Sequence, residues 1–548
     1  DNNISPIIIR FVITLVCLMC VMSGSNSELT SKVWVFFEDK SIPSQTEKKS
    51  IIALMDENRL IRRQKVSIHD SVTTFDLPVH EDYIEAVTNT GVKLQKVSKW
   101  LNAVSVIGSE RQLAMLDGLS FVKKIKPVQS FRRSQPSPKP LRSKSARNAI
   151  QSLDYGNAQS QIEQINCDMV HNAGYNGEGI RILVMDTGFS LEHDVFDSLN
   201  LIAEWDFVND DSITANQTTQ EEQNNQHNHG TMVLSAMAAN LPGFLIGPAF
   251  KSEYLLAKTE MVADEIQVEE DNYVAGLEWG EINGADVVST SLGYLDWYQY
   301  EDLNGDVAVT TIAVDIAAQL GMVCVTAAGN EGNSDWYFII APADADSVIS
   351  VGAVNSNGVI ASFSSHGPTY DGRIKPEVCA RGIATACASP AGKGYTAASG
   401  TSLATPLVGG AAALILDAHP DWTPMMVREA MMQTASQANM PDNNYGYGII
   451  NVWDAINYSA FQSADSDLVP LKYHLSDGYP NPFNSGVDFS LELEYPLNIT
   501  AIIYHIDGTL MDKLLHQELP AGRHAFGWNP MGASSGVYVL SLSDGFST

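Results

Sequence analysis

Three short segments hold the residue types that nucleophilic hydrolysis needs: Val184-Met185-Asp186-Thr187-Gly188, His229-Gly230-Thr231 and Gly400-Thr401-Ser402-Leu403-Ala404-Thr405-Pro406. Serine is a poor nucleophile at neutral pH. A neutral imidazole must accept its proton as the new C–O bond forms, and a buried carboxylate must hold that imidazole in the correct tautomer. Ser402, His229 and Asp186 are the candidates for those three roles. Taken singly, each has an ordinary alternative, with Asp186 a turn residue at a strand end and Ser402 a helix N-cap. His227 competes with His229, but it belongs to the polar stretch 216–228, which reads as a flexible insertion, and no Gly-Thr follows it.

Such a set works only if the fold gathers distant segments. Ile180 to Met185 is a continuous apolar run ending at Asp186, and similar runs occur at Val287-Val288-Ser289, Met322 to Thr326 and Val348 to Val351. Helical patterns lie between them, around 231–239, 272–283 and 307–320. Fully apolar strands alternating with helices predict an α/β fold with a parallel sheet covered on both faces, whose sites lie at the carboxyl ends of the strands. Ser402 opens the apolar stretch Leu403 to Leu416, in which Pro406 is tolerable only in the first turn, so the hydroxyl is expected at a helix N-terminus. His229 likewise precedes a helix.

The chain order Asp, His, Ser, with Ser291-Leu292-Gly293 and Ala327-Ala328-Gly329-Asn330-Glu331-Gly332 between the second and third motifs, resembles the subtilase family over roughly residues 150–460. The resemblance implies a subtilisin-like sheet flanked by helices and a serine endopeptidase acting through an acyl-enzyme. It assigns the oxyanion-hole amide to Asn330 and the substrate channel to the backbone of Ser291, Leu292, Gly293, Ala327, Ala328 and Gly329. Ile340 stands where many relatives have Gly at the base of the primary specificity pocket, which implies a preference for small residues before the scissile bond. Leu403 and Arg381 depart from the family pattern, at positions outside the proton chemistry. An α/β-hydrolase would need Gly-x-Ser-x-Gly ahead of the other two motifs, and neither condition is met. A catalytically inactive subtilase scaffold serving as a surface binding module is the competing reading.

Charge divides the chain. Residues 28–150 carry 21 basic and 13 acidic side chains, whereas 151–548 carry 11 and 50. The larger part would repel phosphate, which argues against nucleic-acid binding, and the two parts should attract each other. Residues 1–27 read as a signal peptide, with an apolar segment too short to form a stable membrane span. Residues 28–130 resemble an inhibitory subtilase propeptide, a small α+β unit that would act as the intramolecular inhibitor. Residues 131–154, rich in Pro, Ser and basic side chains, read as a cleavable linker, and 155–460 as the catalytic domain.

Residues 461–548 read as a small antiparallel β-sandwich. With Tyr479-Pro480-Asn481-Pro482-Phe483 and Gly536-Val537-Tyr538, it resembles the sorting domain of type IX secretion substrates, which implies secretion machinery as a partner and a secreted or cell-surface location. An accessory sandwich that binds substrate or cell wall is the alternative. Asp1 at the start, and an end at Thr548 before a final basic and apolar strand, read as truncation at both ends. The chemistry requires no cofactor. Asp302, Asn304 and Asp306 offer oxygens at alternating positions, as Ca²⁺ or a solvated turn would have them, and the resemblance allows structural calcium elsewhere. Cys379 and Cys387 are close enough to staple one loop, whereas Cys324 reads as a buried free thiol.

Overall fold

The computed structural model describes residues 30–40, 43–66, 68, 72–128, 139–140, 153–262, 268–295, 298–459, 473–475, 486–493, 497–505, 510–520, 522–529 and 538–543. Signal-like residues 1–27 and the Tyr479–Phe483 motif lie outside them. The chain divides into two compact units, Asp1–Tyr458 and Ser459–Thr548.

Seven parallel strands organise the first unit: β1 (Arg181–Asp186), β2 (Asn200–Asp206), β3 (Glu253–Lys258), β4 (Val287–Thr290), β5 (Val323–Ala327), β6 (Ile349–Val354) and β7 (Val378–Arg381). Their order across the sheet is β7-β6-β5-β4-β1-β3-β2. Strands buried on both faces have no reason to alternate, and β4, β5 and β6 are buried at every position. Helices α1 (Asn228–Ala238) and α4 (Thr401–Ala418) lie on one face, with α2 (Val268–Ile282) and α3 (Val309–Gln319) packed against the other. Helix α4 is long and apolar enough to cross a membrane, but it is 89% buried in the protein and serves as the core helix.

Residues 30–128 fold as four antiparallel strands, Lys93–Ser98, Ala103–Ser109, Thr30–Phe37 and Val122–Val128 in spatial order, with helices Glu81–Thr88 and Glu110–Leu116. Period-two alternation gives the strand Thr30–Phe37 two jobs. Val33, Val35 and Phe37 face this domain's own core, while Trp34 and Phe36 join the core cluster that contains Tyr273 and Leu277 of α2. An arm is inserted after that first strand: helices Gln45–Ala53 and Glu57–Lys65 and a short 3₁₀ turn, Thr74–Asp76.

The second unit has two three-stranded antiparallel sheets, ordered Tyr473–Leu475, Val487–Leu493, Gly522–Trp528 and Leu510–Leu519, Leu497–His505, Tyr538–Ser543. Leu491 and Leu493 of one sheet share a core with Ile499, Ala501 and Leu542 of the other, as a sandwich requires.

Cys167, Cys324, Cys379 and Cys387 are all buried free thiols, so the loop staple between Cys379 and Cys387 does not form. Cys379 lies in β7 and faces the Tyr445 carbonyl, whereas Cys387 faces the Thr396 carbonyl in a separate hairpin. Burial pushes the Cys387 thiol up to about 12.

Candidate active site

Asp186 is the last residue of β1 and is fully buried. Its Oδ1 accepts from His229 Nδ1 at 2.7 Å, from the Thr187 N–H at 2.7 Å and from Thr187 Oγ1 at 3.1 Å. Three bonds on one oxygen fix the carboxylate. Because Nδ1 of His229 is committed to Asp186, Nε2 is the nitrogen left to exchange a proton.

His229 lies in the first turn of α1. Gly230 explains the motif beside it, since a Cβ there would stand 2.2 Å from the Gly188 carbonyl and 3.0 Å from Asp186 Cβ. Only glycine lets α1 approach the β1 loop closely enough for the Asp–His bond. Thr231 closes the same junction, accepting from the Ser190 N–H at 2.8 Å and donating to the His227 carbonyl at 2.6 Å.

His227 points elsewhere. Its Nδ1 accepts from the Asn216 N–H at 3.1 Å, and its own N–H donates to Asn216 Oδ1 at 3.0 Å. The segment expected to be a flexible insertion is pinned. Thr218 and Glu221 form a capping box on helix Thr219–Asn224, Glu221 pairs with buried Lys258 at the end of β3, and Gln226 Nε2 bridges the carbonyls of Thr187 and Glu260 at 2.7 and 2.6 Å. Burial lowers the His227 imidazole below its usual range.

Ser402 occupies the first turn of α4, 3% exposed, and its Oγ has no hydrogen-bond partner. The expected bond from this hydroxyl to the imidazole is therefore not made. Catalytic bonds are often loose before substrate arrives, and an unengaged hydroxyl is compatible with tightening on binding. Helices α1 and α4 pack on each other through Met232, Ala236 and Leu403, and both begin at the carboxyl edge of the sheet. A Cβ on Gly400 would lie 2.8 Å from Ser402 Oγ and 3.8 Å from Asn330 Nδ2. That places the hydroxyl and the amide on one small glycine-floored space.

Asn330 follows the end of β5. Its Oδ1 accepts from the Thr401 N–H at 2.9 Å and from Thr401 Oγ1 at 3.1 Å, so its Nδ2 is turned toward the Gly400–Ser402 space as a donor. Thr187, Thr401, Thr231 and Gly230 position the site, and their adjacency to Asp186, Ser402 and His229 within the motifs is the signal the sequence offers for them.

Pro406 sits in the second turn of α4, not the first. Proline there removes the N–H that would bond the Ser402 carbonyl. Ser291 Oγ supplies a donor in its place, 2.8 Å from that oxygen. Ser291, Leu292 and Gly293 follow β4, and Ala327, Ala328 and Gly329 close β5 beside it. Ile340 lies between the two segments, with its N–H on the Ala328 carbonyl at 3.2 Å. A Cβ on Gly293 would meet Ile340 Cδ1 at 2.5 Å, and one on Gly329 would meet Ile340 Cγ1 at 3.1 Å. The isoleucine fills the gap between them.

Asp302 accepts from the Gln299 N–H, Asn304 Oδ1 accepts from the Asp306 N–H, and both bonds are local to the turn. Among the described residues, no three His, Cys, Asp or Glu side chains are grouped to hold a metal.

The model described as the subtilase family matches residues 177–448, and one described as the peptidase S8 propeptide domain of Bacteroidota matches 32–148. The chain is 32% identical over 412 residues to subtilisin E of Bacillus subtilis (strain 168), spanning 75% of this chain and 90% of that protein. It is 36% identical over 305 residues to a subtilisin of Bacillus pumilus, spanning 55% and 98%. In fold it is similar to fervidolysin from Fervidobacterium pennivorans, a keratinolytic enzyme related to subtilisin, at a TM-score of 0.56 and 18% identity over 93% of this chain and 70% of that one. A doubly covered parallel sheet, an Asp–His pair at its carboxyl edge, a buried serine in the first turn of its core helix, and these relatives converge on one conclusion: the chain belongs to the subtilase family of serine endopeptidases and carries that family's propeptide.

Proposed function

We propose that Ser402 is the nucleophile, His229 the general base and then acid, Asp186 the group that orients it, and Asn330 with the Ser402 N–H the oxyanion hole. The observation that carries this reading is the 2.7 Å bond from His229 Nδ1 to Asp186 Oδ1, which commits Nδ1 and leaves Nε2 as the proton-exchanging nitrogen, in a protein whose Ser402 hydroxyl is buried and unengaged. Nε2 takes the Ser402 proton as Oγ attacks the scissile carbonyl. The resulting oxyanion is bound by the Asn330 amide, and the imidazolium returns its proton to the leaving amine. Water then repeats the sequence on the acyl-enzyme.

Extended peptide substrates would add as a strand between residues 291–293 and 327–329. Ile340 shortens the pocket for the residue before the scissile bond and favours small side chains such as Ala. The chain is made as a zymogen and matures by self-cleavage in 131–154. Residues 1–27 direct export, and residues 461–548 engage secretion machinery of the type IX class, giving a secreted or surface enzyme. These last readings rest on sequence pattern alone.

Covalent labelling by a fluorophosphonate tests the triad directly. Labelling of the processed protein that is lost in Ser402→Ala is the expected result. Absence of labelling after the propeptide has been removed would favour an inactive binding scaffold instead.

A further inference from the structure

The arm inserted after the first strand of the prodomain is not needed to complete that domain's four-stranded sheet, yet its arginines are buried. Arg62, Arg63 and Glu281 are 1%, 0% and 0% exposed. Three guanidiniums of helix Glu57–Lys65 converge on one oxygen of the catalytic domain: Arg59 Nε, an Nη of Arg62 and Arg63 Nε lie 2.9, 2.7 and 3.0 Å from Glu281 Oε1 in α2. Asp76, at the far end of the arm, balances the excess positive charge by binding Arg59 at 2.6 Å and Arg63 at 2.7 Å.

Arg62 does a second thing. Its Nε donates to the Leu320 carbonyl at 3.1 Å, one terminal nitrogen donates to the Ala285 carbonyl, and the other reaches the Glu281 carbonyl at 3.4 Å. These oxygens stand at the C-terminal ends of α2 and α3, where carbonyls lack intrahelical donors and the helix dipole favours a cation. The glycines that end both helices, Gly284 at φ +75° and Gly321 at φ +96°, receive the arm closely. A Cβ on the first would lie 2.5 Å from Asp56 Oδ1, and one on the second 2.8 Å from Arg62 Cγ.

We propose that the C-terminal ends of α2 and α3, centred on Glu281, form a guanidinium-binding surface whose occupant is the arm of this chain's own prodomain, and that this anchor holds the prodomain on the enzyme after the linker has been cut. Sheet packing through Trp34 and Phe36 supplies contact area. The arm supplies the part that dissociates slowly, because leaving would strip three arginines of the Glu281 carboxylate, and Arg62 of the helix-end carbonyls, partners they have only in the docked form. Loss of one member of a buried, hydrogen-bonded charge cluster acts mainly on the dissociation rate. This inference rests on the zymogen reading but not on self-cleavage.

The test uses the full chain as Ser402→Ala, with a recognition site for an unrelated protease placed in residues 131–138, so that cutting does not depend on the enzyme itself. After nicking, prodomain release is followed by size-exclusion chromatography over time. Glu281→Gln and Arg62→Ala are each expected to speed release on the order of 10²-fold, while Arg111→Ala, an exposed position on the same domain, leaves it unchanged. Arg62→Ala keeps the catalytic domain's sequence intact and guards against a folding defect caused by Glu281→Gln. Release of Arg62→Ala at the parent's rate, or immediate loss of the prodomain from the nicked parent, would overturn the proposal. If the chain with Ser402 intact fails to cut its own linker, self-processing is refuted while this result stands.

Discussion

Ser291→Ala tests whether the proposed nucleophile depends on a bond its own helix cannot make. Pro406 leaves the Ser402 carbonyl without its i+4 donor, and Ser291 Oγ approaches that oxygen at 2.8 Å, with both residues at most 3% exposed. Removing the hydroxyl strands a buried carbonyl, which costs about 1–3 kcal/mol. If the first turn of α4 shifts to recover part of that, Ser402 Oγ moves with it, and the full penalty falling on the transition state corresponds to a loss in kcat of about 5- to 150-fold. KM changes little, because the substrate would be held by the Ser291 backbone.

The informative partner is Pro406→Ala, which restores an N–H four residues on and makes the Ser291 hydroxyl redundant. Steady-state kinetics on a peptide substrate should therefore show Ser291→Ala impaired, Pro406→Ala near the parent, and the double variant recovered. Such non-additivity is the signature of a shared acceptor. An equal loss from Ser291→Ala in both backgrounds would refute the reasoning, since the hydroxyl would then be acting on something other than this carbonyl.

Three further outcomes are expected. Asn330→Ala lowers kcat by about 10²–10³ with little change in KM, a magnitude inherited from the same donor in a subtilisin rather than worked out from this geometry. Ile340→Gly raises cleavage after Phe or Leu relative to Ala by at least about 10-fold in a peptide-library digest, and equal preference before and after the change would remove the pocket argument. Gly230→Ala abolishes activity by driving a Cβ against the Gly188 carbonyl, with a lowered melting temperature as the second readout.

Much of this protein is legible in its sequence. The runs ending at Asp186 and Ala327 are strands, because a sheet covered on both faces demands continuous apolar residues. β2 and β3 escaped notice for opposite reasons. Asn200–Asp206 is an edge strand with mixed exposure, and Glu253–Lys258 ends in a lysine whose burial depends on Asp206 and Glu221, both remote in sequence. The stretch before His229 is polar and read as loose, yet its side chains bond one another and the β1 loop, contacts that composition does not encode.

Asp186, His229, Asn330 and Ser402 stand out as candidates from local motifs, because each has small neighbours that a sequence displays. What surrounds them was decided by tertiary structure. The Ser291 hydroxyl on the Ser402 carbonyl joins residues 111 positions apart, and Glu281 meets Arg62 across 219. Hydrogen bonds and buried charges are satisfied by whichever partner folding delivers, and periodicity along the chain carries information about which face is buried but none about which distant group will be met there.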